Sequence, residues 1–181
     1  MAALRQAVDQ SVERARRQAA QGQQPVPQLD TAVDSMLESA EAWQLHLPPA
    51  LLTCAITNLL DNALRHHRGP LPVTVRMQLR TASTPGAPGS LVVSVEDHGA
   101  GLNTEERSQA LQRFWRKAAN SAGSGLGLTI VQRIAHSAGG HLQLQAHADG
   151  TPGLYAQLHL PAQPLTAPPR EPAVAPALSH G

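Results

Sequence analysis

Apolar and polar positions follow two rhythms along this chain, and the points where the rhythm changes mark its elements. Leu4, Val8, Val12, Ala15 and Ala19 recur at helical spacing between arginines and glutamines, which predicts a helix of about five turns. Gly22 and Pro25 stop it. Residues 26–47 satisfy both templates. Leu29, Thr31 and Val33 alternate as a strand would, yet Leu29, Val33, Met36, Leu37 and Ala40 also make a helical stripe; Trp43, Leu45 and Leu47 read as a short strand. From Ala50 to His67 the helical signal is strongest: Leu51, Leu52, Ala55, Ile56, Leu59, Leu60, Ala63 and Leu64 form a wide apolar face, introduced by Pro49 and closed by Gly69-Pro70. Val73, Val75, Met77 and Leu79 alternate, and so do Leu91, Val93 and Val95 beyond the Pro/Gly loop Thr84–Gly89, which predicts an antiparallel pair. Residues 102–124 read as loop with a short helix around Glu105–Arg113. Leu126 to Ser137 is helical up to Gly139-Gly140, and His141 to His147 and Leu154 to Leu160 form a hairpin turning at Asp149-Gly150. This order predicts an α+β two-layer sandwich, a mixed and mostly antiparallel sheet with helices packed on one face. After Pro161 the chain becomes Pro- and Ala-rich, so residues 1–161 read as one domain and 162–181 as a disordered tail.

Composition narrows the function classes. In 181 residues the formal charge is +1 and aromatics make up 2%. Neither a strong electrostatic footprint for nucleic acid or anionic lipid nor a base-stacking platform fits those values. No apolar run reaches the roughly 20 residues of a membrane span, and the charged N-terminus does not read as a signal peptide. One cysteine, Cys54, leaves no intramolecular disulfide framework and no multi-cysteine zinc site; a reducing cytoplasm fits.

Three clusters carry candidate chemistry. In Asn58-Leu-Leu-Asp-Asn62-Ala-Leu-Arg65-His66-His67, two carboxamides lie four residues apart, on one face of an otherwise apolar helix. Burying each costs about 1–3 kcal/mol unless it finds a partner. An amide oxygen suits magnesium, which takes oxygen donors and leaves room for water and phosphate; a structural amide pair capping a neighbouring loop would satisfy the same residues. In Glu96-Asp97-His98-Gly99-Ala100-Gly101, a strand delivers a carboxylate to a glycine turn. There it could accept a hydrogen bond from an exocyclic amine such as that of adenine, or simply form a turn. In Gly123-Ser124-Gly125-Leu126-Gly127-Leu128, glycines immediately precede a helix, so backbone N–H groups and the helix N-terminus converge on one spot, as an anion cradle or as a hinge.

Together and in this order, the clusters resemble the ATP-binding catalytic domain of bacterial sensor histidine kinases. These share their fold, the Bergerat fold, with type II topoisomerases, heat-shock chaperones and mismatch-repair ATPases. Asn58–Ala63 matches the N box, Asp97–Gly101 the G1 box, Arg113-Phe114-Trp115-Arg116 the F box and Gly123–Leu128 the G2 box. The resemblance covers residues 50–161, and the stretch before Ala50 has the length of the family's first helix and hairpin. It implies a Mg-ATP site with Asn58 and Asn62 holding magnesium and phosphates, Arg65 reaching a phosphate and His66 near adenine. Asp97 would bind the adenine amine, with Gly99 and Gly101 shaping the pocket. Residues 102–124 would be a mobile lid anchored by Phe114. Arg116 would reach the γ-phosphate, and Gly123, Ser124, Gly125, Leu126 and Gly127 would cradle the triphosphate. Asn58, Asn62 and Arg116 would be the catalytic set.

Hydrolysing relatives of the fold usually carry glutamate at the Asn58 position, and asparagine cannot act as a general base. The resemblance therefore implies transfer of the γ-phosphate to a histidine. None of the nine histidines here has the acceptor context, an acidic residue and proline a few positions on. His136, His141, His147 and His159 read as surface or edge residues, and Cys54 as a core filler. The acceptor would sit on a dimerisation domain outside this sequence, with a response regulator as the onward partner. The domain itself would be cytoplasmic, touching neither nucleic acid nor membrane, within a full-length protein anchored in the inner membrane. Two alternatives share the motifs: an anti-sigma-type serine kinase, which tends to carry glutamate at the Asn58 position, and a nucleotide-sensing interaction module without transfer activity.

Overall fold

The computed structural model describes residues 6, 9–11, 13–14, 17, 28–33, 43–68, 70–80, 89–117 and 124–164. Its longest helix, α1 (Pro49–His66), begins where the sequence predicts, with prolines at the N-cap and first helical position. There a missing N–H costs nothing and a fixed φ suits the helix. The apolar stripe is buried: Ala55, Ile56 and Leu60 are fully so, with Leu59, Ala63 and Leu64 beside them. Complete burial of a large aliphatic side chain is worth about 1.5–3 kcal/mol over leaving it exposed. Of the predicted N-terminal helix, every described residue between 6 and 17 is helical.

The stripe packs on one face of a six-stranded sheet. In chain order its strands are β1 (Leu29–Val33), β2 (Trp43–Leu45), β3 (Val73–Arg80), β4 (Gly89–Asp97), β5 (His141–Gln145) and β6 (Leu154–Pro164). Period-two alternation sends Val73, Val75, Met77 and Leu79 of β3 into the core, while Arg76, Gln78 and Arg80 face out. The same core face carries Val93 and Val95 from β4 and Leu158 and Leu160 from β6. β3 pairs antiparallel with β4, and β4 with β6 in a register that sets Asp97 opposite Leu154. β5 runs antiparallel along the other side of β6. A second helix on the inner face, α3 (Gly127–Ser137), buries Val131, Ile134 and Ala135 and packs against α1. The short α2 (Thr104–Gln109) buries nothing and is held by a capping box between Asn103 and Glu106.

Four expectations need correction. The first two strands do not form a hairpin: β1 pairs parallel with β3 at one edge, and β2 pairs antiparallel with the end of β6. The final strand runs on to Pro164, since Ala162 and Gln163 find partners in Leu45 and Gln44. The expected tail therefore begins inside a strand, and residues 165–181 lie outside the described residues. Gly89 opens β4 instead of closing a loop, with the backbone of Arg80 too close for any side chain. The helix expected around Glu105–Arg113 stops at Gln109, and beyond it Phe114 takes a left-handed backbone (φ 64°). The rest of the 81–88 loop lies outside the described residues, as do residues 118–123 of the expected lid, Gly123 among them.

Candidate functional site

The C-terminal half of α1, the turn after β4 and the start of α3 enclose one cavity of about 280 Å³. Asn58 faces it from α1. Its Nδ2 donates to the Cys54 carbonyl at 2.8 Å, which leaves Oδ1 as the acceptor turned away from its own helix. A Cβ on Gly127 would sit 3.4 Å from that Oδ1, so the first residue of α3 lies beside the amide. One turn along α1 come Asp61 and Asn62, then Arg65 and His66, with Arg68 just past the helix end. Burial first, then the charges of Arg65 and Arg68, hold His66 below the ordinary imidazole range, so this ring is neutral at pH 7. Asp61 pairs with Arg14 from the N-terminal segment.

At the other end β4 delivers Asp97, 3% exposed. Its Oδ1 accepts the Gly99 N–H at 2.8 Å. Burial pushes this carboxyl above its ordinary range, opposed by the Gly99 N–H, by His67 and His147, and by the Leu154 N–H. The turn is braced against α1: the His98 N–H donates to His67 Nδ1 at 3.3 Å, and the Arg68 N–H to the His98 carbonyl at 3.3 Å. No side chain fits at Gly99, where a Cβ would lie 2.3 Å from the His66 carbonyl. His147, expected at a surface or edge, is buried behind this turn. It lies edge-on to His98 with ring centroids 5.0 Å apart, and its Nδ1 is 2.9 Å from Thr151 Oγ1.

Between these ends lie residues 114–117 and 124–125. The Phe114 N–H donates to the Gly125 carbonyl at 3.1 Å, and a Cβ on Gly125 (φ 68°) would lie 2.7 Å from the Trp115 carbonyl. The left-handed turn swings Phe114 outward, 65% exposed, with Arg113 over its ring. Trp115 lines the cavity instead, its Nε1 donating to Gln109 Oε1 at 3.0 Å. Phe114, expected to anchor the lid, is thus largely exposed and does not line the cavity. Alternation alone could not reveal this, because the reversal comes from one residue's φ.

Of the sequence-derived candidates, Asn58, Asn62, Arg65, His66, Asp97, Gly101, Arg116, Ser124, Gly125 and Gly127 line the cavity. Gly99 shapes the turn without lining it, and Leu126 and Phe114 do not line it. Sequence reasoning missed Asp61, Arg68, Trp115, Lys117 and Leu154. Asp61 was findable, since it shares a helix face with Asn58. Leu154 was not, because only the β4–β6 register brings it beside Asp97.

Among known proteins, the family described as histidine kinase-, DNA gyrase B- and HSP90-like ATPase matches residues 49–164. The chain belongs to this family. It is 38% identical over 128 residues to the signal transduction histidine-protein kinase/phosphatase MprB of Mycobacterium sp. (strain KMS), a match covering 68% of the chain and 24% of that protein. The protein of the same name from Mycolicibacterium vanbaalenii is 32% identical over 168 residues, covering 91% and 31%. The match thus spans about a quarter to a third of the length of these curated relatives. Of solved structures, a mycobacterial sensor histidine kinase MprB superposes with a TM-score of 0.59 at 29% identity, covering 88% of this chain and 94% of that one. Full-length ShkA in complex with AMPPNP shares the fold at a TM-score of 0.62 and 20% identity, covering 92% of this chain and 30% of that one.

The residues present also suit a magnesium ion. Among the described residues no group of three or more His, Cys, Asp or Glu side chains could hold a metal. The wall offers amide oxygens instead, at Asn58 and Asn62. A site so sparse in protein ligands leaves most positions to water and phosphate, as magnesium prefers.

Proposed function

We propose that this chain is the ATP-binding catalytic domain of a sensor histidine kinase. It binds Mg-ATP and donates the γ-phosphate to a histidine on a dimerisation domain, from which a response regulator receives it. The observation that carries the reading is the convergence of the Asn58–Asn62 helix face, the buried Asp97 and the Ser124–Gly127 turn on one cavity. Asp97 accepts the adenine amine. Its carboxylate is fixed beforehand by the Gly99 N–H, so little reorganisation accompanies binding. Neutral His66 presents an uncharged flank to the nucleotide. At the opposite end Arg65 and Arg116 offset the negative charge of the triphosphate. The Gly125–Gly127 backbone approaches the phosphates, where N–H groups at the start of α3 point toward them.

Asn58 and Asn62 hold the magnesium ion through their side-chain oxygens, and the ion when bound neutralises phosphate charge. The bond from the acceptor imidazole nitrogen to γ-phosphorus forms as the bond to the β–γ bridging oxygen breaks, and ADP leaves. This chain's share is positioning and charge neutralisation, which carry most of phosphoryl-transfer catalysis. Among the described residues no helix is long and apolar enough to cross a membrane.

Titration calorimetry with ATP, with and without magnesium, tests the binding step. One ATP per chain with magnesium-dependent affinity is expected; no detectable binding overturns the proposal. Adding a dimerisation domain that bears the acceptor histidine, with labelled ATP, tests transfer. Acid-labile label on that domain is expected, whereas acid-stable label identifies a serine kinase and no label a sensing module.

A further inference from the structure

Lys117 follows Arg116 and lines the same cavity, yet no motif assigns it a role. Its ammonium donates to the Gly101 carbonyl and to Glu106 Oε2, each at 3.0 Å. The ion pair is weakly held, because its side chains are 45% and 22% exposed and such pairs are screened by water. Glu106 does not depend on it. The same oxygen already accepts the Asn103 N–H at 2.8 Å in the α2 capping box, so the departure of Lys117 strands no carboxylate. Lys117 also leaves the backbone two residues after Trp115, whose carbonyl rests against Gly125 at the glycine turn. The root of the side chain is therefore near the phosphate end, while its head is parked on the Asp97–Gly101 turn.

An ammonium on a flexible stem offers three donors and follows the strongest nearby anion. We infer that Lys117 is a phosphate-binding side chain held in reserve: when a nucleoside triphosphate fills the cavity, its ammonium leaves Glu106 for the terminal phosphate. Lys117 thereby adds to the preference for triphosphate over diphosphate, and Glu106 is the internal competitor that keeps it off the empty site. The inference rests on the Mg-ATP reading.

Calorimetry with Mg-ATP and Mg-ADP on wild type, Lys117→Met and Glu106→Gln tests it. Glutamine keeps the capping box while removing the competing charge. In Lys117→Met the ratio of ATP to ADP affinity should fall about tenfold, the loss expected of one hydrogen bond to a charged group. In Glu106→Gln the same ratio should rise. Equal weakening of both nucleotides in Lys117→Met would make the lysine a strut for the Gly101 turn and overturn the inference, as would an unchanged ratio in both variants. If Lys117→Met fails to fold, the ratio in Glu106→Gln decides alone. If wild type binds neither nucleotide, it is the Mg-ATP reading that falls.

Discussion

Replacing Asp97 with asparagine changes one atom and tests the adenine end of the site. The carboxylate accepts the Gly99 N–H through Oδ1 at 2.8 Å and is further stabilised by the Leu154 N–H. Two backbone donors thus already face it, and an exocyclic amine from the ligand would be a third. Asparagine offers one oxygen and an NH₂ group, so at least one donor must then face another donor. Losing a hydrogen bond to a charged group costs about 1.5–3 kcal/mol, roughly 10- to 150-fold in affinity. Stability should move the other way or not at all. Burial pushes this carboxyl above its ordinary range, so the fold works against its charged form, a cost that asparagine does not carry. Calorimetry should show ATP binding weakened by at least about tenfold in Asp97→Asn while the melting midpoint holds or rises. A nucleotide with a carbonyl in place of the amine, such as inosine triphosphate, should lose less, because the new NH₂ can donate to it. In wild type, ATP affinity should decline with acid at higher pH than an ordinary carboxylate would dictate, and the variant should lack that decline. An Asp97→Asn protein that folds and binds ATP within twofold of wild type would refute the assignment of Asp97 to adenine.

Gly125→Ala places a side chain on a left-handed backbone and against the Trp115 carbonyl, so it should cost about 1–2 kcal/mol from the conformation alone and weaken nucleotide binding with it; differential scanning calorimetry checks the first effect and an unchanged midpoint speaks against it. Asn62→Ala should reduce the gain in ATP affinity that magnesium confers; titrations at several magnesium concentrations measure this, and an undiminished gain removes Asn62 from the metal site. Stability should fall with acid below about pH 6.5, because burial and neighbouring charge hold His66 and His159 below the value of 6.5 that they have when unfolded. The unfolded chain then binds protons before the fold does, so the stability contribution is complete above that value and is lost as pH drops through the window beneath it. Melting midpoints from pH 7.5 down to 5 should show the decline and His159→Gln should flatten it; identical slopes would contradict the histidine origin.

How far the sequence reveals this molecule depends on whether each feature is local. The α1 stripe was legible because eighteen residues of one helix repeat a single period. The β3–β4 pair was legible because the core positions alternate. β1 was not, because its exposure runs partly buried, three exposed, partly buried, so Leu29–Val33 carries too little burial to fix a period. Its place beside β3, with β2 on β6, depends on partners far along the chain. The site divides the same way. Asp97 and the glycines announce themselves because a turn chemistry demands them in sequence. Trp115 replaces Phe114 at the cavity through one φ angle, and the park of Lys117 on Glu106 needs a fold to bring them together.

The chemistry of the anionic end turns on what could take a proton there. Water attacking a γ-phosphate needs a base, and an amide has no basicity to offer at Asn58. Its Nδ2 is tied to the Cys54 carbonyl, which fixes the amide as an oxygen donor. Two carboxylates line the cavity among the described residues. Asp97 sits at the opposite end, engaged by backbone N–H groups. Asp61 lies beside Asn62 but is paired with Arg14, whose guanidinium occupies its lone pairs. Neither is disposed to collect a proton from a water near the glycine turn. If the site binds the triphosphate as proposed, with neither lining carboxylate placed to take a proton and His66 at the adenine end, it preserves the γ-phosphate until a nucleophile arrives. An imidazole, whose neutral nitrogen already carries an available lone pair, meets that requirement without help from this chain.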